Sequence, residues 1–204
     1  MAGPLTTHEM NHDSYPDAYI RGILNTVKTI AMVGISPKEN RPSYFAFKYL
    51  LERGYAMIPV NPGQAGKDIL GRTVYAKLSD IPEPPDMIDI FRAAQYLVPI
   101  VEEALTLKPH PQVIWMQLGV RNDEAARLAE AAGIKVVMNR CPKIEYGRLS
   151  SEISWMGVNS RTLTSKRAQI YGRGVQRMSL NRATMSGGTT EAALRAQREG
   201  DRDT

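Results

Sequence analysis

TIAMVGISPKENRPSY, residues Thr29–Tyr44, is the stretch that decides the fold: a hydrophobic run leads into a polar loop and then into a helical pattern. The run from Thr29 to Ile35 is short and almost continuously apolar, which is typical of a strand covered on both faces. A strand, a turn and a helix in that order form the repeating unit of a parallel α/β sheet. The stretch therefore predicts a βα unit that turns at Gly34.

The same alternation continues along the chain. Further strands are predicted at Tyr55–Val60, Met87–Phe91, Val113–Leu118 and Ile134–Asn139, and helices at Asp17–Val27, Ser43–Arg53, Ala94–Leu107 and Asp123–Ala132. This order predicts an α/β fold, a doubly wound parallel sheet of about five strands that is Rossmann-like. Pro99 interrupts the third helical pattern, and the segment from Asp68 to Pro85 is expected to be a loop with a short strand or a helical turn.

Composition places the chain among soluble globular proteins. It has 204 residues, of which 43% are hydrophobic and 23% charged, enough for one domain with tails. No apolar run approaches the roughly 20 residues that a membrane span needs, and the first residues lack the features of a signal peptide. The lone Cys141 forms no internal disulfide, which suits a reducing compartment. We expect a cytoplasmic protein without membrane contact.

The positive charge is concentrated at the carboxyl-terminal end. Residues 160–204 carry 9 basic against 4 acidic side chains, whereas residues 1–159 carry 17 of each. The sequence predicts a flexible segment at 1–16, the Rossmann-like domain at 17–155 and a basic, disordered tail at 156–204. The alternative for the tail is a contact with an acidic partner or RNA, although Tyr171 is the one aromatic residue nearby.

The predicted turn after the first strand has the chemistry of an anion site. Backbone amides and a helix N-terminus attract negative charge there, Ser36 and Ser43 add hydroxyl groups, and Lys38 and Arg41 add positive charge. An ordinary connector with solvated charges is the alternative. The sequence favours a phosphate or pyrophosphate as the ligand.

The glycine pattern of a dinucleotide site is absent. That pattern needs three spaced glycines and an acidic residue near the end of the second strand, but the turn has Gly34 alone. The second strand ends at Asn61-Pro62-Gly63, with Lys67 following. A neutral-to-basic end suits a further phosphate better than two ribose hydroxyls, which indicates NADP or coenzyme A.

Several ordered motifs resemble the CoA-binding domain proteins, whose Rossmann-like domain also forms the amino-terminal domain of the succinyl-CoA synthetase α subunit. The motifs are VGIS with RPSY, GYAMIPVNP, LSDIP with DMIDIF, VIWMQLGV and AGIKVVMNRCPKIE, spread over about residues 24–145. Their order and spacing are most similar to those of the small stand-alone members. The resemblance implies CoA or an acyl-CoA as the ligand.

The resemblance also implies which residues contact that ligand. It places Gly34, Ile35, Ser36, Arg41 and Ser43 near the pyrophosphate and Asn61, Pro62 and Lys67 beside the adenosine part. Further residues would line the cleft at the ends of the third and fourth strands: Phe91, Arg92, Trp115, Met116 and Gln117.

Some of these residues have a structural alternative. Trp115 and Met116 alternate along one strand, so at least one of them is expected in the core. Arg92 has the alternative of pairing with a helix carboxylate, and Asn61 with Pro62 that of merely turning the chain.

Cys141 follows the fifth predicted strand and is expected beside the same cleft. The charges of Arg140 and Lys143 would favour its thiolate, which could then form a mixed disulfide with the CoA thiol. The alternative is a small packed residue without reactivity.

No arrangement of residues indicates catalysis. His8 and His12 lie in the predicted flexible segment, and His110 lies in a surface turn. The sequence contains no G-x-S-x-G, P-loop, H-E-x-x-H or paired-cysteine motif. Asp89 would need a partner if buried. We therefore predict a binding module, carrier or sensor; the alternative is an NADP-linked oxidoreductase or a nucleotide-responsive redox regulator.

Overall fold

The computed structural model describes residues 11–150. The basic tail predicted at 156–204, with its suggested acidic partner or RNA, lies outside these residues. Tyr15 belongs to the segment predicted to be flexible, yet its ring stacks on that of Tyr19 at 5.9 Å and its hydroxyl accepts a hydrogen bond from the Met138 amide at 2.7 Å. Ordered packing therefore begins before the first helix.

Five helices and seven strands make up the described part. The helices are α1 (Asp17–Thr26), α2 (Pro42–Glu52), α3 (Leu97–Thr106), α4 (Asp123–Ala131) and α5 (Pro142–Leu149). The strands are β1 (Thr29–Val33), β2 (Ala56–Val60), β3 (Asp68–Ile69), β4 (Arg72–Thr73), β5 (Met87–Ile90), β6 (Val113–Met116) and β7 (Lys135–Val137). Short 3-10 turns occur at Pro62–Gln64, Leu78–Asp80 and Ala94–Tyr96.

The main sheet has the predicted parallel arrangement. Its strand order is β2-β1-β5-β6-β7, and all four pairings are parallel. The chain leaves β1 for β2 on one side and later returns to β5 on the other side, so the order reverses between β1 and β5. Ligands of open α/β sheets collect at such a switch point, beyond the carboxyl ends of the strands.

Helices cover both faces of this sheet. One buried cluster lies under α1, α2 and α5 and includes Leu24, Phe47 and Trp115. The other lies under α3 and α4 and includes Val101, Ile114 and Ala129. Alternate residues of each strand enter opposite clusters, which explains why the strands read as continuous hydrophobic runs.

Helix α3 accommodates Pro99 because the proline lies close to the start of the helix. The chain forms a 3-10 turn first, so α3 starts at Leu97 and Pro99 lies in its first turn, where backbone amides have no helical partner. The segment from Asp68 to Pro85 contains the β3–β4 hairpin, with positive φ at Leu70 and Gly71, and the 3-10 turn at Leu78–Asp80.

Helix α5 is the element that sequence analysis missed. It is only eight residues long and is preceded by Cys141 as N-cap, with Pro142 at its start.

Within residues 11–150, no helix is long and apolar enough to cross a membrane. The same residues contain no group of three or more His, Cys, Asp or Glu side chains placed to hold a metal ion.

Candidate ligand-binding site

Gly34 closes the turn after β1 in a conformation that only glycine adopts easily. Its φ is 88°, and a Cβ there would lie 2.4 Å from the carbonyl oxygen of Phe91 and 2.8 Å from Cδ of Arg92. The amide of Phe91 donates to the carbonyl of Val33 at 2.8 Å. The carboxyl ends of β1 and β5 are therefore in backbone contact at the switch point.

The loop from Gly34 to α2 is held in shape by its two serines. The Ser36 amide donates to Oγ of the buried Ser43 at 3.1 Å, and the Lys38 amide donates to Oγ of Ser36 at 3.2 Å. The amides of Gly34 and Arg41 also donate to backbone carbonyls. These four amides are therefore bonded within the protein and are not free for a ligand, whereas the side chains of Lys38 and Arg41 are exposed at the N-terminal end of α2.

A cavity of about 630 Å³ opens at the carboxyl ends of β5 and β6, between the N-terminal ends of α2 and α5. Large side chains at its mouth remain exposed, with 51% of Phe45 and 56% of Leu118 accessible. We call it the apolar cavity; its lining includes Phe45, Phe91, Leu118, Val120, Cys141 and Ile144. Small-molecule sites have this size and this mainly hydrophobic lining.

A second cavity, of about 300 Å³, lies beside the carboxyl ends of β1 and β2. We call it the side cavity; its lining includes Gly34, Val60, Pro62, Lys77, Arg92 and Tyr96. Arg92 lines both cavities, and its guanidinium carbon lies 4.8 Å from the centre of the Tyr96 ring. The two cavities therefore meet at a cation, along the edge where the strand order reverses.

A buried carboxyl group is hydrogen-bonded to a residue that lines the apolar cavity. Asp89 is fully buried in β5, and its Oδ1 accepts a hydrogen bond from Nε2 of Gln117 at 2.6 Å. Its Oδ2 has no hydrogen-bond partner. Burial raises the pKa of Asp89 to about 7, and the bond from Gln117 opposes that shift. The partner that sequence analysis required for Asp89 is thus present for one oxygen only.

The prediction that Cys141 is a thiolate is wrong, because its environment raises the pKa of the thiol. Burial raises the pKa of the Cys141 thiol, and the nearby Asp89 raises it further, while the backbone of Ile144 and Lys143 and the charge of Lys143 act against the shift. The guanidinium of Arg140 lies over the ring of Tyr15, 5.6 Å from its centre. Cys141 lines the apolar cavity as a protonated thiol at neutral pH.

Three predicted contact residues lie inside the protein. Trp115 and Met116 are both fully buried, one in each core cluster, and line neither cavity. The Trp115 indole nitrogen donates to the Arg140 carbonyl at 2.8 Å. Ile35 is also fully buried in the cluster under α2. The expectation that Trp115 and Met116 line the cleft is corrected, because β6 ends at Met116 and the edge begins at Gln117.

The residues predicted beside the adenosine part are only partly brought together. Pro62 lines the side cavity, whereas Lys67 lines neither cavity and donates from Nζ to Gln64 at 3.1 Å. Asn61 donates to the Ile35 carbonyl at 2.7 Å and accepts from the Gly63 amide at 2.9 Å. The side chain of Asn61 therefore shapes the turn, which is the structural alternative considered for it.

Sequence analysis missed the apolar side chains at the mouth of the large cavity. Phe45 follows the predicted site residue Ser43 by two positions, and Leu118 follows Gln117 directly. Ile144 lies on the unpredicted helix α5, together with Lys143. The available signal was the placement of bulky apolar residues immediately after strand ends and in the first turns of helices.

Comparison with known proteins identifies the family. The family described as "CoA binding domain" matches residues 28–147. The chain is 34% identical over 129 residues to the uncharacterized protein YneT of Bacillus subtilis, a match that covers 63% of this chain and 93% of that protein.

Solved structures agree with this match. A protein of Thermus thermophilus shares 36% sequence identity with a TM-score of 0.62, covering 66% of this chain and 98% of that one. A hypothetical protein of Pyrococcus horikoshii shares 39% identity with a TM-score of 0.62, covering 70% and 99%. Both relatives consist of little more than the matched domain. Because the family match spans more than half of the sequence, the chain belongs to the CoA-binding domain family.

Proposed function

We propose that the protein binds CoA or an acyl-CoA along the carboxyl edge of its sheet and acts as a carrier or sensor without chemistry of its own. The pantetheine arm lies in the apolar cavity, and the adenosine part extends toward the side cavity. Arg92 pairs with the pyrophosphate between them. Family membership supports CoA binding in general; the orientation rests on the two cavities.

The observation that carries this proposal is that the two cavities meet at Arg92. CoA has an uncharged pantetheine arm at one end and charged phosphates toward the other, which suits two unlike compartments with a cation between them. Lys38 and Arg41 stand at the start of α2, on the same edge. A charge-assisted contact between a guanidinium and a phosphate is stronger than a neutral hydrogen bond.

The end of β2 is compatible with a phosphorylated ribose. No acidic side chain follows Val60 in the turn Asn61–Gly66, and Lys67 comes next. The proposal keeps the sequence-based expectation of a cytoplasmic location, where a lone cysteine stays reduced. An acidic partner or RNA for the basic tail remains a prediction from sequence.

The test is thermal melting and titration calorimetry of the full chain with CoA, acetyl-CoA, NADPH, NADH and ATP. A ligand that binds only the folded state raises the melting temperature with its concentration. CoA or acetyl-CoA should do so, and stabilisation by NADPH alone would overturn the proposal in favour of a redox function.

A matched pair of arginine variants locates the ligand. Arg92→Ala should weaken CoA binding by about 1.5–3 kcal/mol, because it removes the cation shared by the cavities. Arg127→Ala removes an arginine from α4, outside both cavities, and should leave the affinity unchanged. Equal affinities in the two variants would rule out the proposed orientation.

A further inference from the structure

Cys141 is a thiol in an unusual position. It is the only cysteine in the sequence, it caps the N-terminus of α5, and it lines the apolar cavity together with Phe91 and Gln117. Cys141 thus borders the cavity where the proposed function places the pantetheine arm, which ends in a thiol.

Asp89 provides an independent sign of a ligand at this place. Its Oδ2 is fully buried without a partner, although buried polar atoms are nearly always hydrogen-bonded. Its other oxygen is bonded to Gln117, which lines the apolar cavity, and its charge acts on the Cys141 sulfur. Asp89 therefore has one oxygen without a hydrogen-bond donor next to two residues that line the cavity, Gln117 and Cys141, and the amide and thiol groups of pantetheine are donors.

We propose that Cys141 is a site of covalent CoA capture, at which a CoA disulfide bound in the apolar cavity exchanges with the cysteine to leave a Cys141–CoA mixed disulfide. This inference rests on the proposed function and extends it from reversible binding to redox-dependent retention. The substrate class is a symmetrical or mixed disulfide of CoA.

The exchange needs no oxidant beyond the CoA disulfide itself. The Cys141 thiol loses its proton, and the thiolate sulfur attacks the CoA-bearing sulfur of the disulfide. The old sulfur–sulfur bond breaks as the new one forms, and the other half leaves as a thiolate that takes up a proton from solvent. One disulfide is consumed and one is formed.

The surroundings of the sulfur favour retention of the adduct. A thiol with a raised pKa is a poor leaving group, so an external thiol that attacks the CoA sulfur expels the Cys141 thiolate only slowly. Attack on the Cys141 sulfur itself is hindered by the cavity walls and by the bound arm. No second cysteine exists to resolve the bond internally.

The first experiment follows the adduct by intact-mass spectrometry. The reduced full chain, freed of reductant, is incubated with CoA disulfide or with oxidised glutathione at equal concentrations. CoA disulfide should add the mass of one CoA less two hydrogens, with a rate that saturates and exceeds that of glutathione by about tenfold or more, because binding places the reacting sulfurs together. Dithiothreitol should reverse the addition, and Cys141→Ser should abolish it.

Two outcomes would overturn the inference: no adduct with CoA disulfide, or equal rates for the two disulfides. Calorimetry with CoA under reducing conditions separates this failure from that of the proposed function. Reversible binding without an adduct removes only the covalent step, whereas loss of both removes the proposed function as well.

The second experiment tests the role of Asp89 in the reactivity of the sulfur. Asp89→Asn removes the negative charge while keeping an acceptor for Gln117, and Lys143 remains as the cation that favours the thiolate. The pH profile of labelling by CoA disulfide should therefore shift to lower pH, in a variant whose cooperative melting shows an intact fold. An unchanged profile would show that Asp89 does not act on the sulfur.

Discussion

Asp86 directly precedes β5 and Asp89 lies within it, and the two side chains have opposite environments. Asp86 lies at the amino edge of the sheet, where its carboxylate accepts hydrogen bonds from the amides of Lys28 at 2.7 Å and Thr29 at 3.0 Å, and from Gln112 at 2.9 Å. Asp89 lies near the carboxyl edge with one oxygen unpartnered. The Asp86 carboxylate joins three segments of the chain, whereas Oδ2 of Asp89 accepts no hydrogen bond.

The pKa values of the two aspartates move in opposite directions. Burial alone would raise the pKa of Asp86, but hydrogen bonds from Thr29, Lys28 and Gln112 together lower it. Burial raises that of Asp89 to about 7. The comparison indicates that the carboxylate at the amino edge stabilises the fold, whereas the buried carboxyl group near the carboxyl edge, where we propose that the ligand binds, does not.

The largest expected effect is at the carboxyl edge. Gly34→Ala should destabilise the fold by about 3 kcal/mol or more, because its Cβ would meet the Phe91 carbonyl at 2.4 Å in a left-handed backbone. Denaturant unfolding measures the loss. Gly22→Ala is the control, since a Cβ there meets nothing within 4 Å in α1, and it should stabilise by about 0.5–1 kcal/mol. Similar behaviour of both variants would show that the close approach of β1 and β5 is not required.

Asp89→Asn should stabilise the unliganded protein above pH 7, by about 2 kcal/mol. The folded state holds the Asp89 proton more tightly than the unfolded state, so the contribution of Asp89 to stability falls as the pH rises from 3.8 to about 7. The variant cannot ionise at this position, so its unfolding free energy should not decrease in this way. Urea unfolding at a series of pH values measures the difference, and a pH dependence identical to that of the parent would contradict the raised pKa.

Asp86→Ala should destabilise the fold by about 1–2 kcal/mol, a discounted value because this carboxylate is partly exposed. Because the pKa of Asp86 is lowered, the pH dependence of its contribution to stability is opposite to that of Asp89. The contribution is present above the ordinary pKa of 3.8 and is lost as the pH falls below that value. Denaturant unfolding of the parent and the variant at neutral and at acidic pH measures the destabilisation and its pH dependence. CoA affinity should not change, and a loss of affinity would break the division between the two edges.

The smallest expected effect concerns the mouth of the apolar cavity. Phe45→Ala should cost about 1 kcal/mol in CoA binding, because the ring covers the ligand, yet change stability by less than about 0.5 kcal/mol, because half of the ring is already exposed. Calorimetry and unfolding measure the two quantities. Leu128→Ala, on the exposed face of α4, is the control and should not change the affinity.

The sequence predicts the sheet well because buried parallel strands carry continuous hydrophobic runs. Each observed main strand lies inside its predicted range. Strand ends are less predictable, because apolar residues beyond the last sheet hydrogen bond look the same as those before it. The family resemblance places Trp115 and Met116 at the cleft, but both are buried in β6, which ends at Met116.

The candidate site is predicted where it depends on local chain chemistry and missed where it depends on packing. Gly34, Arg92 and Gln117 directly or closely follow strand ends, so their position on the carboxyl edge follows from topology. The unpartnered oxygen of Asp89 and the direction of Arg140 arise from contacts between distant segments. These contacts also reverse the expected effect on Cys141, since burial and Asp89 outweigh the cations that are near in sequence.

The first and last described helices meet through Arg148 of α5 and Asp17 of α1, whose charged atoms are 2.9 Å apart. The two ends of the described unit are therefore neighbours, and the β3–β4 hairpin has its tip at Leu70 and Gly71. A circular permutant that joins residues 16 and 150 by a short linker and opens the chain at that tip would keep every strand of the main sheet in its place.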